Sequence, residues 1–287
     1  MVEIKVDQKK CTGCMACVDM CSVTHVYAFE GGKAKVFSPS RCWECGQCVA
    51  VCPEDAIAHS SFPLGACPLI ERDKGDLEKL IGFIRERRSV RVYRDKRVER
   101  EVVKALVDTA RWAPTGGNRQ NISWLVVDDE KTINALSKHI NDVLVKGAAD
   151  LRKSISPGMD PDEQKLALRQ AKTFEHLERR QKKGERPLFF GAPILLFALT
   201  PTSRFTGRDD AVISGYTMQL TAAQMGLATC QIGYFIAGMA FEEELCKEIL
   251  RFPDDKQVQM VLTLGYPKYK LRRMVSRKPL ALEWINN

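Results

Sequence analysis

The chain has 287 residues and a mass of 32.3 kDa, which is enough for one large domain or two modest ones. Apolar residues make up 45% and charged residues 28%, a composition that excludes wholesale disorder. The most apolar stretch, residues 188–199, is too short to span a bilayer and is interrupted by Gly191 and Pro193. The N-terminus has no apolar core of a secretion signal, so we expect a cytoplasmic protein without a membrane partner.

The cysteines and the charge divide the chain near residue 70. Nine of the eleven cysteines lie in the first 67 residues. Residues 1–70 contain six Lys and Arg against seven Asp and Glu, so the overall charge of +8 comes from the remainder. We therefore predict a small cysteine-rich domain over residues 1–70 and a larger basic domain over residues 71–287. The odd, clustered cysteines are unlike a secreted disulfide framework and indicate a reducing compartment.

In the larger domain, hydrophobic spacing predicts helices and strands in irregular alternation. A helix capped by Asp76 places Leu77, Leu80, Ile81 and Ile84 on one face. Further helices are predicted over residues 102–110 and 210–227, and strands over residues 124–127, 193–199, 228–235 and 258–264. Because strand–helix–strand repeats are missing, the predicted fold class is α+β.

The segment over residues 156–187 is polar and basic. Its charge run is typical of a solvated helix face. The alternative is a mobile helical lid whose positive charge attracts an anionic substrate or partner. Its candidate anion-binding residues are Lys172, Arg179 and Arg180.

Two cysteine runs carry the strongest signal in the sequence. The first is Cys11, Cys14, Cys17 and Cys21, and the second, with the same C-x2-C-x2-C-x3-C spacing, is Cys42, Cys45, Cys48 and Cys52, followed by Pro53. Three thiolates on a tight loop surround one cubane, while the fourth reaches a second cubane. We expect a crossed ligation, with one 4Fe–4S cluster on Cys11, Cys14, Cys17 and Cys52 and the other on Cys42, Cys45, Cys48 and Cys21. A structural zinc site is the weaker alternative.

Over roughly residues 1–60 this pattern resembles bacterial two-cluster ferredoxins. Ser22 departs from the proline that often follows the fourth cysteine there, but it removes no ligand. Residues 2–6 and 56–58 are candidates for the small strands of such modules. Cys67 has no partner run and is interpreted as a plain thiol.

Two further motifs suit a phosphorylated cofactor. Residues 85–94 read RERRSVRVYR, and guanidinium groups beside a hydroxyl bind phosphate oxygens well. Residues 113–121 read APTGGNRQN, a tight loop in which Asn118 and Gln120 can donate and accept, as the uracil-like edge of a flavin requires. Taken alone, the first could be a solvated charge run and the second an ordinary turn.

Together the two motifs resemble the nitroreductase superfamily. Residues 226–233 (GLATCQIG) and 264–267 (LGYP) resemble later segments of that family in the same order, so the match covers roughly residues 80–287. The resemblance implies a nitroreductase-like α+β flavin domain behind the ferredoxin-like domain. It also implies FMN at the interface of an intertwined homodimer.

The resemblance implies a role for each matched residue. Arg87, Arg88, Ser89 and Arg91 would hold phosphate and ribityl oxygens. Pro114, Thr115, Gly116 and Asn118 would come from the partner subunit, and Gln120 would contact the flavin edge. Backbone around Ile232, Gly233 and Tyr234 would face flavin N5, and Arg273 or Arg277 would complete the phosphate site.

The sequence thus predicts an iron–sulfur flavoprotein oxidoreductase that passes electrons from its clusters to FMN and on to a small electrophilic acceptor such as a nitroaromatic, quinone or enone. One alternative is an NAD(P)H-dependent reductase that sends electrons outward through the clusters. Others are an electron-transfer adaptor for a partner enzyme and a flavin-destroying or dehalogenating member of the same fold. The candidate donors of the enzyme are an external ferredoxin and NAD(P)H. No catalytic triad and no nucleic-acid motif is present, so the predicted chemistry belongs to the cofactors.

Overall fold

The computed structural model describes residues 2–22, 24–42, 44–69, 76–116 and 119–285, and the chain forms two compact units. The first unit is Met1–Glu86 together with Tyr269–Asn287, and the second unit is Arg87–Lys268. This division differs from the predicted boundary near residue 70, because the helix that ends at Glu86 and the C-terminal segment both belong to the first unit. The chain therefore passes between the units twice, after Glu86 and after Lys268.

The first unit is built from short elements around the two cysteine runs. In chain order they are β1 Ile4–Val6, α1 Ala16–Met20, β2 Tyr27–Glu30, β3 Lys33–Val36, α2 Gln47–Val51, β4 Ile57–His59 and α3 Asp76–Glu86. β1 pairs antiparallel with β4, and β2 pairs with β3 across the Gly31–Gly32 turn. The two predicted strands are present as β1 and β4, whereas the β2–β3 hairpin was not predicted. α3 begins at Asp76 as expected, but the cap itself lies outside the described residues.

The second unit is a sheet with helices on both faces. Its elements are α4 Arg100–Thr109, β5 Ser123–Val127, α5 Glu130–Lys153, α6 Pro161–Gln181, β6 Ile194–Pro201, α7 Gly207–Gln224, β7 Ala228–Gln231, α8 Gly233–Met239, α9 Glu243–Leu250 and β8 Lys256–Gly265. The antiparallel sheet has the order β5-β6-β8-β7. With the first unit, this arrangement confirms the α+β fold class.

The continuous apolar run of β6 follows from this layering. Leu195, Phe197 and Leu199 join the core under α5 and α6, whereas Leu196 and Ala198 join the core under α4 and α7. A central strand that is buried on both faces has consecutive apolar residues and lacks the alternation of polar and apolar residues. The run is therefore a strand of a covered sheet.

α7 lies close against β8 because it carries small residues. A Cβ added to Gly215 would overlap the sulfur of the fully buried Met260. The helix was predicted over residues 210–227, and it is present from Gly207 to Gln224. It is the element that positions two of the motifs described below.

The second unit differs from the prediction in the length of one strand and in helices that were not predicted. The strand predicted over residues 228–235 stops at Gln231, because α8 begins at Gly233. α5 was not predicted, and neither was α9. In the described part of the chain, no helix combines the length and apolarity needed to cross a membrane.

The predicted lid is a packed helix over most of its length. α6 begins at Pro161, where the Asp160 carboxylate accepts the backbone N–H groups of Asp162 and Glu163. On its buried face, Ala171, Phe174 and Leu177 belong to the core shared with α5. This supports the solvated-face interpretation of the charge run, since the basic side chains occupy the outer side of an anchored helix.

Candidate metal centre and cofactor site

The two cysteine runs fold in the same way. In each, the residue after the second cysteine has a left-handed backbone, Met15 with φ 61° and Gly46 with φ 70°. A five-residue helix follows, α1 or α2, and the fourth cysteine comes directly after it. Equal spacing thus produces two equivalent loops, each with three thiols on a tight curve and a fourth beyond a single helical turn.

The electrostatic neighbourhood of the thiols separates them into the two predicted sets. Burial raises the pKa of the Cys17 thiol to about 12, and the neighbouring charges of Cys52, Cys14 and Cys11 add to the effect. Burial likewise raises the pKa of Cys42 to about 11, with Cys45 and Cys21 as contributing neighbours. Burial is also the main cause that raises the pKa of the Cys48 thiol, and the charges of Cys45, Cys21 and Cys42 raise it further.

These neighbourhoods reproduce the crossed arrangement, in which Cys52 joins the first run and Cys21 joins the second. The grouping is one of proximity: among the described side chains, no three of ligand type converge closely enough to hold a single metal ion. Buried thiols with raised pKa values give up their protons when a metal core takes their place, so the donor set fits clusters bound by thiolates.

Hydrogen-bond donors point at several of the sulfurs. Backbone N–H groups of Ala56, Glu44 and Val26 donate to the Sγ atoms of Cys52, Cys42 and Cys21 at 3.2, 3.2 and 3.4 Å. Such donors stabilise negative charge on cluster sulfur and influence the cluster potential. They would have no acceptor of comparable charge if the sulfurs were neutral thiols.

In the second unit, the arginine motif lies along the start of β7. The N–H of Val90 donates to the carbonyl of Thr229 at 3.0 Å. Burial raises the pKa of the Cys230 thiol, and the Arg91 charge is the largest opposing effect, with Ser89 and Arg87 also opposing it. Three of the four predicted phosphate-binding residues therefore gather around one point on β7.

Arg88 and Arg87 differ in their surroundings. Arg88 is 7% exposed, and its Nη1 donates to the Arg87 carbonyl at 2.8 Å. The Arg87 guanidinium lies 5.6 Å from the centre of the Tyr216 ring, and its Nη1 is 3.5 Å from Oε1 of Gln219 on α7. Its Nε is buried without a hydrogen-bond acceptor, which is the state expected of a donor that a bound anion would satisfy.

A buried hydroxyl network joins the arginine motif to the later motifs. The Tyr93 hydroxyl lies 2.8 Å from the Val90 carbonyl and 2.6 Å from the Thr263 hydroxyl. The N–H of Cys230 donates to that Thr263 oxygen at 3.0 Å. Tyr93 and Thr263 thus connect the arginine motif to β7 and β8.

The segment predicted to face flavin N5 has an exposed glycine between two packed side chains. Ile232 is buried, Gly233 is exposed at the start of α8, and Tyr234 is half-buried. The Tyr234 ring meets Phe174 of α6 edge-on at 5.2 Å. Burial raises the pKa of Tyr234, opposed by Arg169, Thr173 and Arg91 in that order.

These contacts revise which α6 residues are near the candidate site. Arg169 approaches Tyr234, whereas Arg180 forms an ion pair with Glu185 and Arg179 lies beside His176. Lys172 is exposed. Arg169 was missed in the sequence because its charge resembles that of its neighbours.

The loop motif at residues 113–121 is held by the start of α7. The Gly116 N–H donates to Asp210 Oδ1 at 2.8 Å, and its carbonyl accepts from Arg204 Nη2 at 3.1 Å. A Cβ on Gly116 would lie 2.5 Å from the Thr206 hydroxyl, so this position requires glycine. Gln120 is exposed, and Asn118 lies outside the described residues.

Within one chain, the loop motif and the arginine motif are at different ends of α7. Asp210 holds the loop, and Gln219 contacts Arg87, nine residues further along the helix. At a rise of 1.5 Å per residue these anchor points are about 14 Å apart along the helix axis. Asp210 and Arg204 are functional supports that no sequence pattern indicated.

The C-terminal arginines, Arg273 and Arg277, belong to the first unit. Arg273 belongs to the first unit, where its guanidinium forms a two-point ion pair with Asp55 and its Nη1 donates to the Cys67 carbonyl at 3.1 Å. The charge of Arg273 is thus paired with Asp55, and its role at the phosphate site stays a prediction. Arg277 is exposed in the same unit.

Comparison with known proteins matches each unit separately. The sequence pattern of the Nitroreductase family matches residues 84–266, and that of a 4Fe-4S dicluster domain matches residues 10–56. A 4-nitrobenzoate reductase of Pseudomonas putida is 26% identical over 194 residues, 64% of this chain and 83% of the relative. A ferredoxin of Methanothermococcus thermolithotrophicus is 39% identical over 56 residues, 19% of this chain and 92% of its own.

A solved structure supports the fold of the second unit. The crystal structure of a nitroreductase with bound FMN from Desulfitobacterium hafniense DCB-2 covers 71% of this chain and 97% of its own, with a TM-score of 0.52 at 23% identity. The covered sheet and the dicluster loops together define an iron–sulfur oxidoreductase. Because the family pattern spans more than half of the residues, the chain belongs to the Nitroreductase family. Both resemblances predicted from the sequence are confirmed.

Proposed function

We propose that the protein passes single electrons from its clusters to FMN and uses them to reduce a small electrophilic acceptor. The protein is an FMN-dependent oxidoreductase whose first unit carries two 4Fe–4S clusters. The observation that carries the proposal is the presence, in one polypeptide, of the crossed thiol sets and the arginine–serine group around Cys230. A cluster supplies one electron at a time, and a flavin can release two together.

Arg87, Arg88, Ser89 and Arg91 would hold the FMN phosphate and ribityl oxygens. A guanidinium group remains charged and binds phosphate at two points, and the unsatisfied Arg87 Nε fits that role. The exposed backbone at Gly233 would approach the flavin ring, with Ile232 and Tyr234 fixing it on either side. When bound, FMN supplies the redox chemistry, and these residues position it and balance its charge.

The working unit in this proposal is a homodimer. The loop of residues 114–118 and the arginine motif are separated along α7 in one chain, so a second copy would supply the loop. Exposed apolar side chains on α7, including Ile213 and Tyr216, provide a surface for that copy. Arg277 lies in the C-terminal segment of the chain, and its role at the phosphate site stays a prediction.

The acceptor is proposed to be a nitroarene or a similar electrophile. The 26%-identical relative from Pseudomonas putida is a 4-nitrobenzoate reductase, which makes that compound the first substrate to test. A cavity of about 300 Å³ borders the loop motif and is lined by Thr115, Gln120, Ile122 and Trp124 among others. Its size is at the lower end for small-molecule pockets.

Anaerobic turnover of 4-nitrobenzoate with reduced viologen, compared with NADPH, tests the proposal. We expect viologen-driven turnover to fall at least tenfold in Cys14→Ser and to remain near wild type in Cys246→Ala. Cys246 is a buried thiol of the second unit and provides a matched control. Rapid reduction of the flavin by NADPH alone, with turnover unaffected in Cys14→Ser, would establish the NAD(P)H-dependent alternative and overturn the proposed direction of electron flow.

A further inference from the structure

The segment from Tyr269 to Val275, here called the C-terminal strap, is bound to the first unit by main-chain hydrogen bonds. The Arg272 N–H donates to the Ala50 carbonyl at 2.8 Å, and the Met274 N–H donates to the Pro68 carbonyl at 2.7 Å. Arg273 also forms an antiparallel bridge with Leu69. The strap is therefore an additional extended segment of the unit that carries the cysteines.

One side chain of the strap enters the core of this unit. Val275 is 7% exposed and belongs to the same hydrophobic cluster as Cys48 and Cys52. A Cβ added to Gly46, between Cys45 and Cys48, would lie 2.8 Å from a Val275 methyl group. Glycine at that position is what permits the strap to lie against the second cysteine loop.

The charged side chains of the strap are directed toward the end of α2. Arg272 Nη1 donates to the Cys52 carbonyl at 3.4 Å. The Asp55 carboxylate raises the pKa of Arg273 most, and the charges of Cys67 and Cys52 add smaller effects. The guanidinium groups of Arg272 and Arg273 thus lie at the segment that contains Cys52, where Arg273 is paired with Asp55.

The strap and the three residues that follow it are rich in positive charge. Over residues 269–278 there are five Lys and Arg and no Asp or Glu. A cluster with four thiolate ligands has a net negative charge that increases when it accepts an electron. Nearby positive charge therefore favours the reduced form and raises the reduction potential.

We propose that the C-terminal strap sets the potential of the cluster that includes Cys52, with Arg272 and Arg273 stabilising its reduced state. In the step concerned, an external one-electron donor reduces the cluster by one electron, and no bond to the protein forms or breaks. The inference requires the clusters, and it is independent of which donor or acceptor the enzyme uses. It deepens the electron-transfer role proposed above.

Potentiometric titration of the anaerobically purified full chain, followed by electron paramagnetic resonance, tests this inference. We expect Arg272→Gln and Arg273→Gln each to weaken reduction of one cluster about tenfold, a shift of about 59 mV to lower potential for a one-electron couple. Arg273→Lys keeps the charge and should remain near wild type. Arg273→Gln/Asp55→Asn removes both members of the pair and should shift the potential less than Arg273→Gln alone.

Lys35→Gln provides the control, because Lys35 is an exposed cation of the same unit that pairs with Glu30. Iron and sulfide analysis of every variant shows whether both clusters are present. If Arg273→Gln fails to retain its clusters, Arg272→Gln decides the question, since it leaves the Arg273–Asp55 pair intact. Unchanged potentials in fully loaded Arg272→Gln would overturn the proposal, and so would equal shifts of both clusters or a shift of the same size in Lys35→Gln.

Discussion

The surroundings of Arg87 in the structure indicate a role that its sequence context leaves open. The sequence places it in a charge run that could be a solvated face. The structure places it against Tyr216 and Gln219 with its Nε buried and unsatisfied. A buried donor without an acceptor costs free energy that a bound phosphate would recover.

Arg87→Gln is therefore expected to weaken FMN binding about tenfold or more, because it removes a charge-assisted hydrogen bond to the phosphate. Flavin fluorescence during titration of the FMN-free protein measures the dissociation constant. Arg100→Gln is a matched control, since Arg100 pairs with Asp128 on the exposed surface. Equal affinity in Arg87→Gln and wild type would remove Arg87 from the phosphate site.

Arg273 shows the opposite case at the same scale. The family pattern suggested a phosphate ligand, but an aspartate 218 residues earlier in the chain takes up the charge. No local pattern in the sequence connects Asp55 with Arg273. Pairings across such distances arise from the tertiary path of the chain and were not predictable from spacing.

Among the elements, α4, α7 and the covered strands were predicted because their patterns are local, whereas the amphipathic helices α5 and α9 were missed. β6 and β8 are apolar runs of strand length, and α4 has a strong apolar face. The end of β7 was missed because Ile232 continues the apolar pattern while its backbone turns into α8. The strap was missed because it lies in residues 269–278, where five cations in ten residues resemble a solvated tail, and because its anchoring depends on Gly46.

Glycine substitutions distinguish two helices of the second unit. Gly215→Ala in α7 should destabilise the protein by about 1–3 kcal/mol, because the added Cβ overlaps Met260 in a filled core. Gly147→Ala in α5 should stabilise it by about 0.5–1 kcal/mol, since open space surrounds that position and alanine favours helix. Thermal unfolding of both variants measures the effects, and the same sign in both would contradict the described packing.

At the scale of the whole molecule, the proposed working unit is a homodimer. Ile213 on α7 is 42% exposed and belongs to the surface proposed for the partner. Ile213→Asp should convert the dimer to a monomer and weaken FMN binding at least tenfold, because the partner's loop would be lost with it. Analytical ultracentrifugation with flavin content measures both.

Leu166→Asp, at an exposed apolar site on α6, is the comparison for the dimer test. It should leave the dimer and the flavin content unchanged. A monomeric wild-type protein with full flavin content would show that the site is complete within one chain.

The two units differ in what the sequence could reveal about them. Ligand spacing predicted the cluster sets, because three thiolates of each run lie on a tight loop and the fourth is placed to reach a second cubane. The proposed flavin site would combine backbone, a buried hydroxyl network and residues from distant segments. Its supports, Asp210, Arg204 and Thr263, became recognisable only in three dimensions.

The most direct measurement is freeze-quench electron paramagnetic resonance of the anaerobic protein. Its clusters are first reduced, and the protein is then mixed with 4-nitrobenzoate. With FMN bound, the signal of the reduced clusters should disappear at the rate of acceptor reduction, and in FMN-free protein it should persist. Persistence of the signal in the FMN-bound protein, or equally fast loss without FMN, would contradict electron transfer from clusters through the flavin site to the acceptor.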